Sequence, residues 1–417
     1  MNATTKRTWI NRTVVGICAA TFLSDFSHEM VTAVLPMYLA SVGLGAAALG
    51  AIEGVADFLV SLSKLVGGVA GHRPPFSRHK RALASAGYLV TTVCTSALAL
   101  VHSAPAMVFL RSVAWAGRGF RGPLRDYLLA DAVEPTHFGR AYGLERAGDM
   151  LGAVAGPLVA TVLVFIGLEF RSVMLWAFLP GVIAAATFLL LARERPVTEP
   201  AREIPAAMAP VDVPPPLVRP GFPRVFWLFL VGVLLFGIGD FSRTFLIFLA
   251  AAAIGEGQGA GGGWSFGAGH VSVAVLLYAM HNAVSAAAAY PIGRLGDRLP
   301  RRRVLLGGYV LGAATNFLLA FLFGSLAWIV VVIVLSGVYI AVEETMEKAA
   351  AAELLPRHLR SLGFGVLATA NAIGDMVSSV MVGVLLQAGH GAWAFGVAGA
   401  FGVAGVMWMA VVVRFGR

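Results

Sequence analysis

The sequence predicts an all-α membrane protein, with twelve transmembrane helices in two six-helix bundles related by a pseudo-twofold axis. Three observations carry this reading. Of 417 residues, 58% are hydrophobic and 13% charged, about half the ~25% charged share of a soluble domain. The apolar residues fall in runs of roughly 20, the length that crosses the hydrocarbon core of a bilayer. Motifs in the first half of the chain recur in the same order in the second.

Apolar runs place spans near 14–39, 46–69, 82–101, 105–128, 141–167 and 171–192, then 225–253, 270–292, 304–324, 326–350, 361–387 and 392–413. The basic stretch Met1 to Arg12 leads into a run too long for a cleaved signal, so that run is expected to be the first span. The loops alternate in charge. Lys6, Arg7 and Arg12 precede span 1, and Arg73, Arg78, Lys80 and Arg81 follow span 2. Arg193, Arg294, Arg298, Arg301 to Arg303, Arg357, Arg360 and Arg414 continue the basic set, while 40–45, 102–104 and 388–391 carry no Lys or Arg. Lys and Arg are retained on the cytoplasmic side. Both termini are therefore expected in the cytoplasm, with the chain in the inner membrane of the cell. The net charge of +9 is spent on topology, and nucleic acid is not expected as a partner. Cys18 and Cys94 lie inside apolar runs, which excludes a disulfide framework and a thiolate metal cluster.

A proline-rich stretch, 193–224, reads as an extended cytoplasmic linker. It divides an N-terminal bundle, 1–192, from a C-terminal bundle, 225–417. The two repeat one another. Asp25, Phe26 and Ser27 in span 1 recur as Asp240, Phe241 and Ser242 in span 7. Gly71, His72 and Arg73 match Gly296, Asp297 and Arg298, and Gly87 and Tyr88 match Gly308 and Tyr309. The offset rises across the glycine-rich stretch 255–263, which reads as an insertion.

The loop Gly293, Arg294, Leu295, Gly296, Asp297, Arg298, Leu299, Pro300, Arg301, Arg302, Arg303 resembles the loop signature of the major facilitator superfamily. The equivalent stretch Gly67 to Arg81 is similar, but His72 stands where that pattern has aspartate. Arg111 with Gly117 resembles the family's helix-4 arginine motif. Gly148, Gly152, Gly156 and Pro157 resemble the glycine–proline motif of its antiporters, without the glycines that follow the proline. The resemblance covers the whole chain and implies alternating access around a midplane site. It also implies a gating role for Asp297 and Arg298.

A charge at the centre of a bilayer costs roughly 2.5–3.5 kcal/mol on insertion scales, which makes intramembrane ionisable groups functional candidates. Asp25, His28 and Glu29 share one face of span 1, and Glu53 and Asp57 one face of span 2. Arg118 lies on an arginine stripe of span 4, and Glu145 and Asp149 share a face of span 5. Asp240 and Arg243 lie in span 7, His281 in span 8 and Asp375 in span 11. These are the expected substrate and proton-coupling residues. Buried carboxylates and histidines exchange protons near neutral pH. Structural pairing, as of Glu145 or Asp149 with Arg146, is the alternative for each. Aligning the halves sets Arg121 against Glu343 and Arg125 against Glu347, with charge reversed. They are expected to form an ion-pair gate across the inner mouth, unless each pairs within its own half, as Glu344 with Lys348 at i, i+4.

Other motifs lack their context. Gly263, Ser265 and Gly267 fit a hydrolase pattern that needs a strand-to-helix elbow. Gly117, Gly119 and Gly122 fit a dinucleotide pattern that needs a preceding strand. His28 and Glu29 are followed by Thr32, not by the second histidine of a zinc site. No P-loop occurs, so no nucleotide site on this chain supplies energy. The expectation is a secondary active transporter, not an enzyme, that exports an organic cation or drug-like compound by proton antiport. It is expected to act as a monomer, without cofactor or resident metal. An organic-anion carrier, using the arginine stripe bidentately, and a divalent-metal carrier, using Asp25, His28, Glu29 and His281, remain alternatives. A polytopic membrane enzyme would need a reactive constellation that the sequence does not display.

Overall fold

A computed structural model of the chain describes residues 8–44, 46–194, 221–241, 268–321 and 326–415. The first half contains α1 (Arg12–Ser41), α2 (Ala46–His72), α3 (Lys80–Ala97), α4 (Ala104–Ala132) and α5 (Phe138–Phe165). Its sixth span is two pieces, α6 (Phe170–Trp176) and α7 (Phe178–Leu191). The second half contains α8 (Arg224–Gly237), α9 (Ala268–Gly296), α10 (Arg301–Phe321), α11 (Leu326–Leu354), α12 (Arg360–Gln387) and α13 (Gly391–Phe415). Each expected span has its helix, and no strand occurs among the described residues. Eight of the described helical stretches are long and apolar enough to cross a membrane. Most of the expected linker, the glycine-rich insertion and Arg243 lie outside the described residues.

The turns follow from local chemistry. Gly43, Gly167 and Gly389 adopt φ of 78°, 97° and 79°, a left-handed conformation that glycine enters without Cβ strain. Each closes a helix the same way. The amides of Leu44, Leu168 and His390 donate back to the carbonyls of Leu39, Leu163 and Leu385, which satisfies last-turn acceptors. All three turns lie on the side away from the basic loops. The break in the sixth span at Ala177 also has a partner, for Ser27 Oγ donates to its carbonyl at 2.7 Å.

Glycines set how closely the helices pack. A Cβ on Gly152 or Gly156 of α5 would come within 2.5 or 2.6 Å of the Phe22 or Phe26 carbonyl of α1. The glycines of the antiporter-like motif thus bring α5 against α1. The halves meet through the same device. Gly139 of α5 faces Gly293 of α9, and Gly68 of α2 faces Gly365 of α12, backbone on backbone. These contacts lie near the ends of helices that carry the basic loops. Tyr142 packs edge-on to Phe364 across the same seam, with ring centroids 6.1 Å apart.

Candidate substrate and proton site

Between the halves lies a cavity of about 500 Å³, within the 300–1,000 Å³ range of sites for drug-sized ligands. Residues of α1, α2, α4 and α5 form one wall, and residues of α9, α11, α12 and the end of α8 the other. More than half of its lining residues are charged. Asp25, Glu29, Asp126 and Asp149 come from the first half, and Asp240, Glu343, Glu344, Glu347 and Asp375 from the second. Six bases accompany these nine acids: Lys64, Arg118, Arg121, Arg125, Arg146 and Lys348. A chain of net charge +9 therefore presents an acidic interior.

The first wall centres on Arg118, whose side chain keeps 30% of its surface accessible. It donates to Asp25 Oδ1 at 2.6 Å and also lies against the His28 ring. His28 Nε2 is 2.7 Å from the same Asp25 oxygen. The carboxylate of Asp149 lies within hydrogen-bonding reach of Asp25 and accepts from Arg146 at 2.7 Å. Two turns from Arg118, the Arg111 guanidinium stacks 3.6 Å over Trp115. Trp115 in turn packs against the edge of His28. This cluster arises because spans 1, 4 and 5 each turn a charged face inward, where it escapes the lipid.

The second wall carries five of the nine acids and one base, Lys348. Tyr339 donates to Asp240 at 2.7 Å. Tyr309 and Asn371 donate to Glu347 at 2.5 and 2.6 Å. Two ion pairs cross from wall to wall. Arg146 meets Glu344 at 2.8 Å, and Lys348 approaches Glu145 at 3.8 Å.

Beyond the cavity, on the side of the basic loops, the carboxylate of Asp297 accepts from the amides of Gly139 and Arg140, at 2.8 and 3.1 Å. These are unpaired donors at the start of α5, where a helix favours an anion. The Arg140 and Arg301 side chains flank the same carboxylate. The first-half counterpart differs. His72 Nδ1 lies 3.0 Å from the His358 carbonyl, and the ion pair on that side joins Asp131 to Arg357. Arg298, named with Asp297 in the sequence pattern, is exposed.

Several expected residues stand apart. His281 is buried outside the cavity lining, 3.1 Å from Ser336 between α9 and α11. Glu145 lies behind Arg125, at 2.8 Å. Glu53 and Asp57 fall on α2, but their side chains, like Arg243, are outside the described residues.

The expected gate pairs need correction. Arg125 is taken by Glu145 and Asp126 of its own half, and Glu347 by Tyr309 and Asn371 of its own half, so Arg125 and Glu347 do not meet. Arg121 donates to Ser24 at 2.8 Å and stacks 3.7 Å over Tyr88, away from Glu343. The physical reason is that α11 packs on α5. The residues that cross are Glu344 and Lys348, one position along from those that symmetry selects. Sequence reasoning also missed Tyr309, Tyr339 and Asn371. Neutral residues carry no hydropathy signal of a polar role. Their repeat positions offered a clue only for Tyr309, which matches Tyr88.

The comparisons with known proteins agree with this architecture. A family model described as Major Facilitator Superfamily matches residues 17–280 and 263–416. An MFS-type transporter of Methanocaldococcus jannaschii is 24% identical over 365 residues, covering 87% of this chain and 86% of its own. A protein of Mycobacterium tuberculosis is 26% identical over 417 residues, covering 97% and 93%. Among solved structures, a human organic anion transporter superposes with a TM-score of 0.72 at 13% identity, over 95% of this chain and 99% of its own. A bacterial homologue of the iron transporter ferroportin, in an outward-facing state, superposes with a TM-score of 0.70 at 13% identity, over 96% and 99%. At such identities the likeness is one of fold.

Proposed function

The chain belongs to the major facilitator superfamily, and from that premise we propose that this secondary transporter exports an organic cation in exchange for protons. The observation that carries the reading is the cavity's excess of nine carboxylates over six bases. A cationic solute entering it replaces its lost hydration with opposite charge, whereas an anion would meet net repulsion.

Proton exchange is assigned to the first wall. The neighbouring carboxylates Asp25 and Asp149 are the groups assigned to carry the exchanged proton. His28 and Arg118 compete for the same Asp25 oxygen, so a proton gained or lost there reorders the cluster. The basic loops are taken to face the cytoplasm. The seam of Gly139, Gly293, Gly68 and Gly365, with Asp297 on the start of α5, then closes the cavity on the cytoplasmic side. Export requires this seam to part. The transporter is taken to act as a monomer, since both walls of the cavity come from one chain.

The test is transport into inside-out proteoliposomes with an imposed pH gradient, offered a lipophilic amine or an organic anion. Amine accumulation that collapses with the gradient supports the reading. Accumulation of the anion alone would assign substrate recognition to Arg118, the one arginine of the cluster shown above to keep 30% of its side chain accessible.

A further inference from the structure

Glu343 is the carboxylate of the second wall that the fold leaves unsatisfied. It lines the cavity from α11, is 6% exposed, and its Oε2 has no hydrogen-bond partner. Its neighbours show what a satisfied carboxylate looks like here. Asp240 accepts from Tyr339, Glu347 from Tyr309 and Asn371, and Glu344 is paired with Arg146. Asp240, Glu344, Glu347 and Asp375 line the same cavity wall. The bases within reach of the wall are committed elsewhere. Lys348 turns to Glu145, and Arg146 is held by Asp149 and Glu344. A buried acceptor without a donor, among like charges, is costly in a protein interior. It is tolerated where a ligand completes it.

Resting on the reading of the cavity as a cation site, we infer that Glu343 is the recognition residue for a protonated amine, which reaches Oε2 with an N–H donor. The chemistry that fits is narrower than positive charge. A quaternary ammonium brings charge but no hydrogen-bond donor, and would leave Oε2 as unsatisfied as before. A primary, secondary or tertiary ammonium brings both. The aromatic side chains of Tyr278 and Phe364, which line the same wall, suit the apolar body of such a ligand. The two walls then divide the work. The first half holds the exchangeable proton and the second holds the amine, and Arg146, paired with Asp149 on one side and Glu344 on the other, connects them.

The experiment uses the full-length purified protein in lipid nanodiscs and a matched pair of fluorescent probes. One is a lipophilic tertiary amine, charged at pH 7, and the other is its N-methylated quaternary analogue. Wild type is expected to bind the tertiary amine about tenfold or more tightly over the quaternary one, the scale of a charge-assisted hydrogen bond. E343L is expected to abolish that preference, and E343Q, which keeps a neutral acceptor, to reduce it. The wild-type comparison needs no variant, so a misfolded mutant does not remove the test. Equal affinity of wild type for both probes would overturn the inference while leaving cation transport standing. An amine preference that E343L leaves unchanged, whether both probes weaken together or neither does, would overturn the assignment of that donor contact to Glu343. Binding of neither cation by wild type, with binding of an organic anion, would remove the underlying cation reading itself.

Discussion

Arg146 and Glu344 are joined across the two halves of the molecule by a 2.8 Å ion pair. Arg146 simultaneously holds Asp149 of its own helix at 2.7 Å. One guanidinium thus reads the charge on both walls. R146Q or E344Q is expected to lower the transport rate by about tenfold, the size of an ordinary coupling free energy of 1–3 kcal/mol. The exchanged pair R146E/E344R should recover part of that loss. Recovery is partial because Asp149 loses its partner whichever way the pair is written. Initial rates in proteoliposomes measure this. A double variant no better than either single one would mean that the pair does not couple the halves.

Asp25 accepts from Arg118 and adjoins both His28 and Asp149. D25N keeps the size of the side chain but removes the exchangeable proton. The expected outcome is transport that still exchanges substrate down its own gradient yet no longer responds to an imposed pH gradient. Counterflow assays run beside gradient-driven assays distinguish the two. Loss of both activities together would instead assign Asp25 to substrate binding.

Asp297 has no exposed side-chain surface. It holds two amides of α5 together with Arg140 and Arg301. D297A leaves those groups without an anion. Breaking a buried pair costs about 3–5 kcal/mol, and the partial exposure of Arg140 brings the expectation to the lower end. Spin labels on α5 and α9 near Gly139 and Gly293 should then report longer distances as the basic side opens.

Gly152 and Gly122 make a controlled comparison within the first half. G152L forces a side chain against the Phe22 carbonyl, and overpacking costs about 1–3 kcal/mol. Gly122 has no atom within 4 Å of its would-be Cβ. G122A should be neutral or stabilise the helix by roughly 0.5–1 kcal/mol. Thermal unfolding in detergent should separate the two variants clearly.

The helices were legible because membrane insertion depends on summed hydropathy, which a reader of the sequence can add up as the bilayer does. The inward faces were legible for the same reason, since charge on a span must avoid lipid. Partner choice was not. Pseudo-symmetry relates Arg125 to Glu347 as equivalent positions, but equivalence does not state which helices touch. The contact runs from α11 to α5, and it selects Glu344 and Lys348. The satisfied states of Glu347 and Asp240, and hence the contrast with Glu343, depended on Tyr309, Asn371 and Tyr339, whose roles exist only once helix rotation is known.

The glycine seam between α5 and α9, and between α2 and α12, bears on how fast the molecule can change state. Interlocked side chains must leave their rotamers before two surfaces separate, and that raises a barrier in both directions. Backbone laid on backbone at Gly139, Gly293, Gly68 and Gly365 has no teeth to disengage. Besides the Tyr142–Phe364 ring contact, what resists parting is polar, the carboxylate of Asp297 on two amides and the Asp131–Arg357 pair, and water can take the place of each such bond as it breaks. The closure therefore behaves as a latch rather than a weld, firm at rest and quick to yield once its few charges are answered from elsewhere.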